Sequence, residues 1–308
     1  MASRAVLGQL SDVDVRLLRV FRSVVEAGGV SAAELELNIG RSAISRHLKD
    51  LETRLGVVLC RRGRGGFALT DEGRDIYESA LRLLAALDVF RSEVNEVHRR
   101  LTGNLSVALF DKTVTNPDCH IDQAVKLFDE IAPEVTLDFY VAPINDIEKG
   151  VMDGRFSVGV IPTHRPSTSL DYLSLFPEQM YLYVARGHDL FDVPDDKIDE
   201  AELRQHKFVG LGYHSPNMEL GNRMGIERHA SSYDQEAAAT LILSGRYLGY
   251  LPDHYARSFQ ADGLIRPVAP DRFNYLCEFV AINRHAPKPS RIAWTFLDCL
   301  RQAHHVSV

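Results

Sequence analysis

The sequence predicts an α/β chain headed by a small all-α winged helix-turn-helix, with one long linker helix between the two parts. Three observations carry this expectation. Residues 31–70 spell two short helical patterns at a tight turn and then an arginine-rich hairpin; residues 70–101 keep one unbroken helical repeat; from residue 105 onward, short apolar strands alternate with helices.

In the first stretch, Ser31 and Glu34 have the spacing of a capping box, and the helix they predict ends near Asn38. Gly40 opens a second helix in which Ile44, Leu48, Leu51 and Leu55 recur at i, i+4, i+7 and i+11, a buried face closed by Gly56. The opposite face carries Arg41, Ser42, Ser45, Arg46 and Lys49. Such a row of short polar and long basic side chains fits the major groove of double-stranded DNA. Arg41, Ser42, Ser45 and Arg46 are placed at base edges, and Lys49, Arg62 and Arg64 on phosphates.

Charge supports the division of labour. The chain of 308 residues has a net charge of -7, yet residues 1–70 hold eleven Lys/Arg against seven Asp/Glu, and the remainder holds 24 against 35. A basic head on an acidic body implies that only the head meets phosphate.

Thr70 is the expected N-cap of the long helix, with Asp71 and Glu72 favourable in its first turn. Ile76, Ala80, Leu83, Leu87, Phe90, Val94, Val97 and Leu101 follow at alternating intervals of 4 and 3, a heptad seam. A seam needs a partner helix; a second copy of the chain and the chain's own body are the two candidates.

Beyond Gly103, residues 105–110, 136–141, 156–161, 180–185, 208–211, 249–251 and 275–282 read as strands with helices between them, an arrangement of largely parallel sheets. No run of 18 apolar residues occurs and the N-terminal MASRAVLGQLSDVDVR lacks a signal-peptide core, so a cytoplasmic chain without membrane contact is expected. Cys60, Cys119, Cys277 and Cys299 have neither paired nor metal-ligand spacing and read as free thiols. His120, His164, His188 and His229 are scattered and read as surface side chains.

The stretch Ile39–Gly56 resembles the recognition helix of the LysR-type transcriptional regulators, whose pattern runs through Ser-Arg to Leu-Glu-x-x-Leu-Gly. Asp14–Ser31 is similar to that family's first helix and turn, and Leu59–Gly73 (LCRRGRGGFALTDEG) to its wing and Leu-Thr-x-x-Gly. Gly40, Arg41 and Cys60 depart from the usual Ser/Thr, Gln and Phe. The resemblance extends to FDEIAPEVTLDFYV, VMDGRFSVGVI, YLYVARGHDLF and AATLILSGRYLGYLP, which look like the family's two-lobed, periplasmic-binding-protein-like α/β effector domain. It implies a helix-turn-helix domain over 1–69, a dimerising linker over 70–103 and an effector domain over 104–308. Lobe I would hold 104–177 and 268–308 and lobe II 178–267, with crossings near Pro177 and Pro267. It also implies a dimer or tetramer on a two-fold symmetric operator, with RNA polymerase as a further partner.

In such sheets ligands collect beyond the C-terminal strand ends, where helix N-termini favour anions. Four junctions qualify: Asp111–Pro117 with Asn116 as N-cap and Pro117 as first helical residue, Asn145 with Glu148, Ser232 with Gln235, and the loop after Leu211. A small anionic effector is therefore expected at Thr113, Thr115, Asn116, Asn145, Tyr213 and Tyr233, although each cap also has a purely structural use. No catalytic motif, cofactor loop or metal constellation appears. The reading is an effector-controlled DNA-binding regulator; a solute-binding module with a vestigial head, or a cytoplasmic α/β enzyme with a regulatory N-terminus, are the alternatives.

Overall fold

The computed structural model describes residues 8–63, 66–97, 101–213 and 215–305. Two compact units divide between Arg91 and Ser92.

In the first unit, α1 (Asp12–Glu26), α2 (Val30–Leu37) and α3 (Arg41–Leu55) close on a core of Phe21, Val24, Ala33, Ile44, Leu48 and Leu51. One carboxylate both caps and cross-links. Asp14 accepts from the Ser11 backbone N–H (2.9 Å) and from Arg54 Nη2 of α3 (2.9 Å), so the start of α1 is tied to the end of α3. Arg54, and after it Ser11, hold the Asp14 carboxyl well below the usual carboxylate range.

The predicted capping box at Ser31 is not formed. Gly29 is the N-cap, at a φ of 147° that a side chain rarely adopts, and its N–H bonds back to the Val24 carbonyl (2.9 Å) to close α1. The α1–α2 turn is thus made by backbone, and Ser31 falls inside the helix. The other expected ends form, at Asn38 and at Gly56, both left-handed.

The hairpin of β1 (Cys60–Gly63) and β2 (Gly66–Leu69) pairs Cys60 with Leu69. Thr70 then caps α4 (Asp71–Val97), accepting from the Gly73 N–H (2.9 Å) while its hydroxyl faces the Val58 carbonyl (2.6 Å). A Cβ on Gly73 would lie 1.9 Å from the Leu59 carbonyl oxygen, so only glycine lets the helix start against the hairpin's root. Along α4 the seam serves two ends. Ala80 is buried and Ile76 and Leu83 half-buried on the three-helix core, whereas Phe90 and Val94 are 61% and 45% exposed.

The second unit contains β3 (Gly103–Leu109), α5 (Ile121–Ile131), β4 (Val135–Val141), α6 (Ile144–Met152), β5 (Val158–Pro162), β6 (Leu170–Ala185), α7 (Glu200–Leu203), β7 (Phe208–Leu211), α8 (Pro216–Met224) and β8 (Arg228–Ser232). There follow α9 (Gln235–Leu243), β9 (Leu248–Pro252), α10 (Asp253–Ala261), β10 (Ile265–Pro267), β11 (Asn274–Arg284) and α11 (Arg291–Ala303). One lobe is built on the parallel set β4-β3-β5 and the other on β9-β7-β8. Strands β5 and β9 are buried at every residue, as helix-covered parallel strands must be.

Between the lobes the expectation of largely parallel sheets fails. Strand β6, 16 residues long, and β11 pair antiparallel through both lobes, placing Pro177 opposite Glu278 and Glu178 opposite Cys277. Pro177, where a crossing between lobes was expected, sits inside β6. The return crossing runs along β11 and not near Pro267, which belongs to β10 and pairs with Tyr183.

Leu48→Ala would leave a cavity under α3 and is expected to destabilise the first unit by about 2–5 kcal/mol, read as faster hydrogen exchange of the α1–α3 amides.

Candidate functional site

On the first unit, the outer face of α3 presents exposed Ser42, Arg46 and Lys49 with half-buried Ser45. Arg41 is exposed but tethered: its Nε donates to Glu34 Oε2 (3.0 Å), its backbone N–H to Glu34 Oε1 (3.3 Å) and its Nη1 to Ser31 Oγ (3.4 Å). The pair expected to cap α2 therefore anchors the first residue of α3. Arg61 is exposed on β1, whereas the side chain of Arg62 and all of Arg64 lie outside the described residues.

On the second unit, the chain leaving β3 reaches across to the other lobe. The backbone N–H of Gln235, first residue of α9, donates to Asp111 Oδ2 (2.8 Å), while the N-cap Asp234 accepts from Ala237 N–H (2.7 Å). The end of α9, expected to attract an anion, is already occupied by two of the protein's own carboxylates. Lys112, left-handed at φ 62°, sends Nζ to Glu236 Oε2 (2.7 Å) across the Tyr255 ring. The Thr115 hydroxyl lies 2.8 Å from His254 Nδ1, whose Nε2 lies 2.9 Å from Glu178 Oε1 on β6. His254 and Glu178 are both buried, and the Cys277 thiol donates to the other Glu178 oxygen (3.7 Å).

Beside these ties stand four buried oxygens without hydrogen-bond partners: Asp111 Oδ1, Tyr213 Oη, Ser232 Oγ and Gln235 Oε1. Their residues are 9%, 4%, 2% and 3% exposed. They form one neighbourhood. Tyr213 meets Phe110 edge-on at 6.2 Å, the Gly212 N–H donates to the Ser232 carbonyl (2.7 Å), and Asp111 touches Gln235. Burial pushes the Asp111 carboxyl up to about 6, and burial likewise raises the Tyr213 phenol. Buried polar atoms without partners are costly, and these four have capacity to bond a bound molecule.

Of the residues expected to touch effector, only Tyr213 belongs to the cluster. Thr115 is turned to His254, and buried Thr113 bonds the Cys119 thiol. Asn116 caps no helix: its Nδ2 donates to the Pro177 carbonyl (3.0 Å), its Oδ1 accepts from Asp118 N–H (2.9 Å), and α5 starts five residues later. A single turn follows Pro117, the Cys119 N–H donating to the Asn116 carbonyl (3.1 Å), and it does not continue into α5. Asn145 lies exposed inside the first turn of α6, with Pro143 supplying the capping carbonyl. Tyr233 is half exposed, its ring over Gly212, and Asp234 replaces Ser232 as the cap of α9.

Sequence reasoning missed Asp111, Glu178 and His254, which no local pattern marks. It also misjudged histidines: His188 is buried and accepts from Leu190 N–H (3.1 Å), the His164 side chain is buried near Glu148, and His120 is half-buried beside His304. His229 is exposed as expected. The four cysteines form no disulfides, and burial raises the thiols of Cys119, Cys277 and Cys299.

Residues 15–74 match the family described as "Bacterial regulatory helix-turn-helix protein, lysR family", and residues 98–304 match "LysR substrate binding domain". The chain belongs to the LysR family. It is 42% identical to the HTH-type transcriptional activator BauR of Pseudomonas aeruginosa, over 96% of each protein. CbnR, solved with its target DNA, superposes with a TM-score of 0.61 over 94% of this chain and 99% of CbnR at 24% identity. Full-length OxyR of Pseudomonas aeruginosa does so with 0.61 over 96% of each chain at 17% identity, a likeness of fold alone. This LysR-type protein is a DNA-binding transcriptional regulator with an effector-binding domain. Among the described residues no helix is long and apolar enough to cross a membrane, and no acid, His or Cys group is arranged to hold a metal.

A raised carboxyl pKa stabilises the fold below the ordinary value of 3.8, and that contribution is lost as pH rises through about 6. Asp111→Asn keeps an acceptor for the Gln235 N–H and removes the penalised charge. The effector-free variant is expected to melt higher than the parent at about pH 8, by an amount on the order of 1–3 kcal/mol, and equally at about pH 4.

Proposed function

We propose that this LysR-type regulator is a cytoplasmic dimer whose α3 reads the major groove and whose effector binds between the lobes at Asp111, Tyr213, Ser232 and Gln235. The observation that carries the effector site is the set of buried, unpartnered oxygens contributed by both lobes. A ligand satisfying them from both sides favours the closed arrangement by its differential affinity. Identity to BauR supports activation of transcription as the mode. An anionic effector loses its main physical support, because the α9 end is filled by Asp111 and Asp234.

The chain Thr115, His254, Glu178 has the order hydroxyl, imidazole, carboxylate of a hydrolytic relay, which is the one observation favouring the enzyme reading. We assign it instead to holding the lobes: Thr115 comes from one lobe, His254 opens α10 of the other, and Glu178 lies on the crossing strand.

In α3, Ser42, Arg46 and Lys49 stand on the face opposite the buried leucines. Arg46→Ala is expected to weaken binding to the chain's own upstream DNA by about 1–3 kcal/mol at matched salt, with the fold unchanged. A gel shift decides it, and parental affinity removes Arg46 from the reading set. For assembly, the uncovered seam at Phe90 and Val94 fits a second copy's linker helix. Phe90→Asp with Val94→Asp places four carboxylates in a two-chain seam and is expected to yield monomers on sedimentation; an unchanged assembly would overturn the seam.

A further inference from the structure

Resting on the interlobe reading above, we propose that the effector carries a protonated amine, and that its ammonium group is recognised by Asp111 together with Gln235, Tyr213 and Ser232.

The donor and acceptor inventory points this way. With Asp111 ionised, its Oδ1 and Gln235 Oε1 can only accept, whereas Tyr213 Oη and Ser232 Oγ can each donate one hydrogen or accept. A carboxylate or phosphate entering here would place its oxygens against two acceptor-only atoms, one of them a carboxylate taken out of water. A neutral hydroxyl brings one donor for at least two acceptors. An ammonium brings three donors and a compensating charge, enough for Asp111 Oδ1, Gln235 Oε1 and one hydroxyl. Turning the Gln235 amide over would present its NH2 but would leave Asp111 as it is.

The protein's own cations do not fill this role. Lys112, the next residue, is committed to Glu236 at 2.7 Å, and His254 faces Glu178 and Thr115. Asp234, Glu178 and Glu236 leave the surroundings rich in carboxylates. The second Asp111 oxygen is held by Gln235 N–H, so the carboxyl plane is fixed and Oδ1 is aimed by the fold. Asp111 belongs to one lobe and its three companions to the other, so an ammonium bound here joins the lobes through charge-assisted hydrogen bonds.

The test is calorimetric titration and thermal melting of the full-length protein with four probes: methylamine, 4-aminobutyrate, acetate and butyrate, each at millimolar concentration and equal ionic strength. Methylamine and 4-aminobutyrate are expected to bind and raise the melting temperature of the parent, and acetate and butyrate are not. Asp111→Asn is expected to weaken the two amines by about tenfold or more, and Tyr213→Phe, which removes a neutral hydroxyl, by less. Stabilisation by acetate or butyrate that Tyr213→Phe or Ser232→Ala abolishes overturns the ammonium assignment and leaves the interlobe site standing. Amine binding unaffected by Asp111→Asn, or no response to either amine, overturns the assignment as well.

Discussion

The antiparallel pairing of β6 with β11 is the constraint on which the effector domain depends. Both strands pass through both lobes, and their backbone hydrogen bonds hold Glu178 opposite Cys277 at the crossing. Because a two-stranded ribbon resists stretching and slipping of register far more than twisting, the lobes can turn about it but cannot slide apart without breaking pairs. Everything that crosses the cleft is placed relative to this ribbon. Asn116 bonds the Pro177 carbonyl on it, and Glu178, on the same strand, receives His254. The ties at Lys112 and Thr115 are exposed or partly exposed and lie where rotation would open first.

Three carboxylates near one cleft show how differently burial is handled. Glu178 is buried but receives His254 and the Cys277 thiol, so its oxygens are partnered. Asp234 spends its charge on the first turn of α9, where the helix dipole favours it. Asp111 has one oxygen satisfied and one not, and it alone of the three has a buried oxygen without a partner. A fold that tolerates such a group gives up stability for it, as the proposed effector site requires.

What the sequence made legible was governed by short-range physics. The leucine spacing of α3, the left-handed ends at Asn38 and Gly56, the cap at Thr70 and the helix that follows it all depend on residues a few positions apart, and all formed. Local rules failed where another group, near or far in sequence, supplied the partner first. Ser31 was displaced as a cap by the Gly28–Gly29 turn, Asn116 was taken by Pro177, and Ser232 gave way to Asp234. The antiparallel ribbon was hidden because β6 and β11 lie too far apart in sequence for any local window to contain their pairing. Of the effector cluster only Tyr213 had been singled out as a contact. Its companions are set by cross-lobe pairing, as in the bond from Gln235 N–H to Asp111, 124 positions away in sequence.

The tether from Arg41 to Glu34 and Ser31 has an evolutionary consequence. With α3 in the groove as proposed, a side chain at its entrance is held by residues of the preceding helix, so a substitution at position 34 or 31 that never touches a base still frees a guanidinium there. Drift among paralogues at those two positions is therefore a route to a new operator preference in which the recognition helix itself keeps its sequence. Arg41 can change partner first and be replaced later.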